Sequence, residues 1–205
     1  MALAHGCSYD NGAVFLRRIA FCIALVAICS AADDIRAVDF KNLTYRWPSD
    51  EGGVPSTWNW LVQGQNSAVR LVDGVHSFSE SSQPESGEPY VMLSSVTYGD
   101  LTGDGRDEAA VDLVYGTGGT ANWHYLYVYT IANRAPKLLG VLRSGSRADG
   151  GLVRIAIEKR LLVLDFQDTD RRTADCCSEG WIRVAYRWQG THFAETGSRS
   201  HGDLK

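Results

Sequence analysis

Past its first thirty-odd residues this chain is short of cysteine, of basic runs, of any second long apolar segment and of helical periodicity. Each shortage removes a class of protein. Of its five cysteines, Cys7, Cys22 and Cys29 fall in the N-terminal stretch, which leaves only the adjacent pair Cys176 and Cys177. That is no framework for a disulfide-stapled mini-domain. His76, His124, His192 and His201 are scattered, without the short spacing of a zinc site. No Gly-x-Ser-x-Gly elbow occurs. Gly116-Thr117-Gly118-Gly119-Thr120 lacks the Gly-Lys-Ser/Thr ending of a phosphate loop and runs into an aromatic strand instead of a helix. With a formal charge of −4 and no basic block, nucleic acid and anionic membrane are not expected partners.

What the N-terminus does have is the order of an export signal. Arg17 and Arg18 precede an uncharged run from Ile19 to Ser30, then small residues Ser30, Ala31 and Ala32, then Asp33 and Asp34. The run is too short to span a bilayer, which takes roughly 20 apolar residues, and its layout is that of a cleaved leader over residues 1–32. A lipid anchor at Cys29 is disfavoured by the bulky Ile28 before it. Loss of Arg17, Arg18 and Asp10 with the leader takes the formal charge from −4 to −5. The expected product is periplasmic or extracellular, a single β-rich domain over residues 33–205, without a membrane span. In an oxidising compartment Cys176 and Cys177 have only each other within the chain. A bond between neighbours is strained, because their Cα atoms sit about 3.8 Å apart; a structural staple in the turn DTADCCSEG is the expectation.

Downstream, the hydrophobic period is two, the signal for strands. In Trp181 to Trp188, Ile182, Val184, Tyr186 and Trp188 share one face while Arg183 and Arg187 take the other. Gln189-Gly190 turns this strand into Thr191-His192-Phe193. Val153, Ile155 and Ile157 alternate with Arg154 and Glu158, and a tight turn near Lys159 leads to Leu161–Phe166. Val69–Val72 and Val75–Phe78 flank Asp73-Gly74, which supplies the positive φ angles of a type I′ hairpin turn. Further strands are expected over residues 109–115, 123–131 and 138–142, with a mobile loop near residues 79–88. The expected fold class is all-β: antiparallel hairpins forming a single β-sandwich or a strongly curved sheet, with few or no helices after the leader.

One stretch carries chemistry. YGDLTGDGRDEAAV, residues 98–111, places oxygen-bearing side chains at Asp100, Thr102, Asp104 and Glu108, with Gly105 after the third. Ca²⁺ takes six to eight oxygens at about 2.3–2.6 Å, and a tight loop presents alternate side chains plus a backbone carbonyl to one point. That makes Asp100, Thr102, Asp104, the Arg106 carbonyl and Glu108 the candidate ligands, with Asp107 either a further one or solvated; the alternative is a solvated acidic turn in which Arg106 neutralises part of the charge. An EF-hand is excluded, since its twelfth position falls on Val111 and the flanks are strands. The spacing resembles the calcium loops of the FG-GAP and VCBS type, in which D-x-[DN]-x-D-G-x-x-[DE] precedes a short apolar strand. Thr102 stands where those loops carry Asn or Asp, and thus gives one neutral oxygen. Only one copy is present, so a propeller is not implied. With the GTGGTANW and DCCSEG turns, the loop also looks like those of secreted bacterial proteins carrying a single such motif.

Three functional readings follow. The first is an exported, non-enzymatic β-domain with one structural Ca²⁺ loop, binding or supporting an envelope or extracellular partner. The second is a secreted hydrolase with an acidic site, which requires raised carboxyl pKa values in a pocket. The third is a carbohydrate-binding module that stacks sugars on Trp123, Tyr125 and Tyr127, which share a strand face with Tyr129. The residues leave core packing as the simpler use of those rings.

Overall fold

A computed structural model describes residues 34–46, 68–78, 87–146, 150–174 and 177–204. The proposed leader, most of the expected loop at 79–88 and Cys176 lie outside the described residues. Those described belong to one compact unit, Ala31–Lys205. They form thirteen strands and three short 3₁₀ turns, with no α-helix among them, and the fold is all-β. None of their helical segments is long and apolar enough to cross a membrane.

Five strands make the central antiparallel sheet. Strand β3 (Val75–Ser77) pairs with β4 (Tyr90–Gly99), then follow β5 (Glu108–Gly116), β6 (Asn122–Ala132) and β7 (Ala135–Arg143). A four-stranded sheet holds β8 (Leu152–Glu158), β9 (Leu161–Gln167), β12 (Gly180–Trp188) and β13 (Phe193–Asp203) in the order β13-β12-β9-β8. Two small ribbons complete the set: β1 (Thr44–Arg46) with β2 (Ala68–Arg70), and β10 (Arg172–Ala174) with β11 (Cys177–Ser178). Cys177 is disulfide-bonded, and its partner lies outside the described residues.

Strand β5 is buried along its whole length, because the central sheet is covered on both faces. Alternation sends Ala109, Val111, Leu113 and Tyr115 to one side, where they meet Tyr125, Tyr127 and Tyr129 of β6 and, from the N-terminal segment, Ile35, Phe40, Tyr45, Val69 and Leu71. Ala110, Leu126 and Val128 face the other way, onto Leu162 and Leu164 of β9 with Ile155, Ile157, Phe166, Tyr186 and Phe193 around them. Each fully buried Leu or Val of these two layers contributes on the order of 1.5–3 kcal/mol.

The tyrosine row is therefore core. Tyr125, Tyr127 and Tyr129 are 2%, 0% and 6% exposed, and Trp123 packs on the same cluster. Tyr45 lies edge-on to Tyr127 at 5.4 Å. The Tyr115 and Tyr127 hydroxyls are 2.9 Å apart, and the Tyr127 hydroxyl donates to the Arg46 carbonyl. Burial raises the pKa values of these phenols, first among causes for each, so they stay neutral. No sugar-stacking platform exists on this face.

The expected Asp73-Gly74 turn forms, with φ of 51° and 88° and Val72 and Val75 exchanging both backbone hydrogen bonds. Its arms then separate, since β2 pairs with β1 and β3 with β4. A second tight turn carries two non-glycine residues in the left-handed region, Lys159 at φ 51° and Arg160 at φ 64°. Such backbone is costly for a residue with a Cβ, and the contact made by Arg160 with the acidic loop helps to offset it.

Candidate functional site

The loop between β4 and β5 runs from Asp100 to Asp107 and winds around the Asp100 carboxylate. Asp100 Oδ1 accepts the Gly103 N–H at 2.6 Å and Oδ2 accepts the Gly105 N–H at 3.2 Å. Both glycines have positive φ, 84° and 85°, which is the backbone this tight winding needs and which L-residues resist. Across the loop, Arg160 packs its guanidinium on Gly103, where a Cβ would lie 3.0 Å from NH1. Its Nε stands 3.9 Å from Asp100 Oδ2.

Glu108, the first residue of β5, is 0% exposed. Its Oε2 accepts the N–H groups of Leu101 and Thr102 at 2.8 and 2.9 Å. Its Oε1 accepts the Thr130 hydroxyl at 2.9 Å and the Thr102 hydroxyl at 3.4 Å. A carboxylate taken from water is costly unless hydrogen bonds satisfy it, and here four donors do so. The β5–β6 register runs straight through this contact: Ala109 faces Tyr129, so Thr130 comes next, opposite Glu108. The glutamate ties the loop to two strands of the central sheet.

The outer carboxylates are held differently. Asp104 receives the Arg106 N–H at 2.9 Å and both Nε and NH2 of the Arg106 guanidinium, at 3.1 and 2.7 Å. The Arg106 side chain foremost, then its backbone N–H, keep the Asp104 carboxyl below its ordinary pKa, and the Thr102 hydroxyl adds a smaller downward pull. Asp107 accepts Nε and NH2 of Arg36 at 2.8 and 2.6 Å, while the Arg36 guanidinium sits 4.6 Å from the centre of the Tyr98 ring. Both pairs are exposed.

Of the predicted ligands, Thr102 is the meeting point. Its hydroxyl reaches toward Glu108 and Asp104, while Asp100 organises the same turn. As the side chains stand, no three acidic, histidine or cysteine groups among the described residues converge on one point suited to a metal. Each carboxylate has its own donors: Arg106 for Asp104, the Gly103 and Gly105 N–H groups for Asp100, and two N–H groups with two threonine hydroxyls for Glu108. The Asp104–Arg106 pair lies at the surface and is screened by solvent, so it is a weak interaction. The side chains of Asp100, Thr102, Asp104 and Glu108 carry oxygen donors, the ligand type of a hard cation.

Sequence reasoning did not bring forward Arg36, Arg160, Thr130 or the pair Asp112–His124. Asp112 is 3% exposed, and both its oxygens lie 3.0 Å from His124 Nδ1. This pair was within reach of the sequence. Pairing Gly116 with Asn122 across the Gly-rich turn and counting back sets Asp112 opposite Leu126, diagonal to His124. Comparison with protein families, curated proteins and solved structures found no match.

Proposed function

We propose that this chain is an exported, non-enzymatic β-domain with a binding or structural role at the cell envelope, and that its loop from Asp100 to Glu108 takes one structural Ca²⁺ ion. What supports the ion is the spacing of the oxygen-bearing side chains of Asp100, Thr102, Asp104 and Glu108 in one loop, wound by two glycines at positive φ. Asp100, Thr102, Asp104, the Arg106 carbonyl and Glu108 would hold it. The ion would supply charge neutralisation and stiffness at the entry to β5. Export rests on the leader-like order of residues 1–32.

A hydrolytic use of the same acids is poorly supported. Asp104 is kept ionised by Arg106, whereas a general acid needs its proton retained near working pH. Glu108 is enclosed by four structural donors. The test is thermal unfolding in EDTA and across a Ca²⁺ titration, with Asp104→Asn in parallel. Ligand linkage gives about 2.7 kcal/mol of added stability at a hundred times Kd, and the reading requires that gain in the native chain and its loss in the variant.

A further inference from the structure

Beside the acidic loop lies an open cavity of about 290 Å³, lined by Asp34, Ile35, Arg36, Gly105, Arg106, Asp107, Thr130 and Ile131. We propose that it binds a small zwitterion with an apolar body, of the class of an aliphatic α-amino acid. The inference does not depend on Ca²⁺ in the loop.

The lining has two cations and two anions, and each keeps hydrogen-bonding capacity. Arg36 spends Nε and NH2 on a single oxygen, Asp107 Oδ2, so its NH1 and Asp107 Oδ1 are left without a partner among the described residues. Asp34 uses only Oδ1, which accepts the Arg36 N–H at 2.9 Å. Arg106 spends Nε and NH2 on Asp104 Oδ2 and keeps NH1. A lone anion or a lone cation brought here meets a like charge as well as an opposite one. A zwitterion puts its carboxylate against guanidinium and its ammonium against carboxylate, so both ends gain charge-assisted hydrogen bonds.

The remaining lining sets the body of the ligand. Ile131 supplies apolar surface, to which Ile35, 2% exposed, adds little, and Gly105 has nothing within 4 Å of where a Cβ would stand, so its backbone leaves room. The Thr130 hydroxyl is already given to Glu108 and adds no further donor. The volume sits at the small end for ligand sites, roughly 300–1,000 Å³, and suits a molecule of amino-acid size. Asp100, Asp104 and Glu108 belong to the same loop without lining the cavity, and their added negative charge makes a molecule with only a carboxylate the least favoured.

The test is a two-dimensional amide NMR titration of the ¹⁵N-labelled chain with leucine, isoamylamine, isovalerate and glycine, in EDTA and again with Ca²⁺. The expected result is saturable shifts at Arg36, Gly105, Asp107 and Ile131 with leucine in both conditions, at a Kd on the order of 1 mM. Isoamylamine lacks the carboxylate, glycine the apolar body, and isovalerate the ammonium and one methylene; each binds at least about tenfold more weakly than leucine, isovalerate weakest. Arg106→Ala, an exposed position, lowers leucine affinity and leaves isoamylamine unchanged. The proposal is overturned if leucine gives no saturable shift, if the four probes bind alike, or if Arg106→Ala binds leucine as the native chain does. Failure of the calcium titration leaves every one of these outcomes readable.

Discussion

The two ends of the acidic loop hold their charge in opposite ways. At the inner end Glu108 is sealed from water and met by neutral donors, two backbone N–H groups and two threonine hydroxyls. At the outer end Asp104 and Asp107 lie at the surface, each facing one arginine. A buried carboxylate with fixed donors is hard to replace and serves architecture. An exposed ion pair is weakly held. The contrast teaches that one sequence motif contains two parts, a buried strap and a solvent-exposed lip.

Breaking the strap has the largest expected effect. Glu108→Ala leaves the Leu101 and Thr102 N–H groups and the Thr130 hydroxyl without their acceptor, at roughly 1–3 kcal/mol for each buried donor. Chemical denaturation in EDTA is expected to show a loss of about 3–5 kcal/mol, and the variant, short of one proposed ligand, is expected to gain nothing from added Ca²⁺. Glu108→Gln keeps one acceptor oxygen and turns an amide toward donors, so a loss of about 1–3 kcal/mol is expected.

Gly103→Ala comes next. A Cβ there sits at positive φ and 3.0 Å from the Arg160 guanidinium, and about 1–2 kcal/mol is expected from the backbone alone. Equal stability of this variant would show that the loop is looser than its hydrogen bonds indicate. Arg36→Ala removes both the Asp107 pair and the stacking on Tyr98, two exposed interactions that together contribute about 1 kcal/mol.

Asp104→Asn is expected to change stability in EDTA least, because the pair it breaks is solvent-screened. Its acid dependence has a defined sign. Arg106 depresses the folded-state pKa of Asp104 below the ordinary 3.8, so the native chain has this small advantage above that value. The advantage disappears as pH falls through the lower folded value, and the two unfolding curves converge in acid.

Which parts were legible in the sequence follows from which residues carry period-two contrast. Strands β8 and β12 alternate because one face packs on a core, whereas β5, β6 and β9 show buried stretches because both faces are covered. Strand β4 was missed: YVMLSSVTYG has exposed serines at its centre and a register shift between Leu93 and Ser95. Strand β13 was expected as three residues and spans Phe193–Asp203. It is an edge strand, polar and exposed, and edges are kept that way against unwanted pairing, which erases the pattern. The site shows the same division. Asp100, Thr102, Asp104 and Glu108 were readable because they are local. Arg36 reaches Asp107 across 71 residues and Arg160 arrives from another sheet, so no spacing rule points to either.

The direct test of the account is the melting temperature of the chain against Ca²⁺, measured beside Asp104→Asn. The account predicts a Ca²⁺-dependent rise that saturates, is absent in the variant, and starts from an EDTA baseline at which both are folded. A native chain whose melting temperature is unmoved by millimolar Ca²⁺, or a variant that gains as much as the native chain, would contradict it.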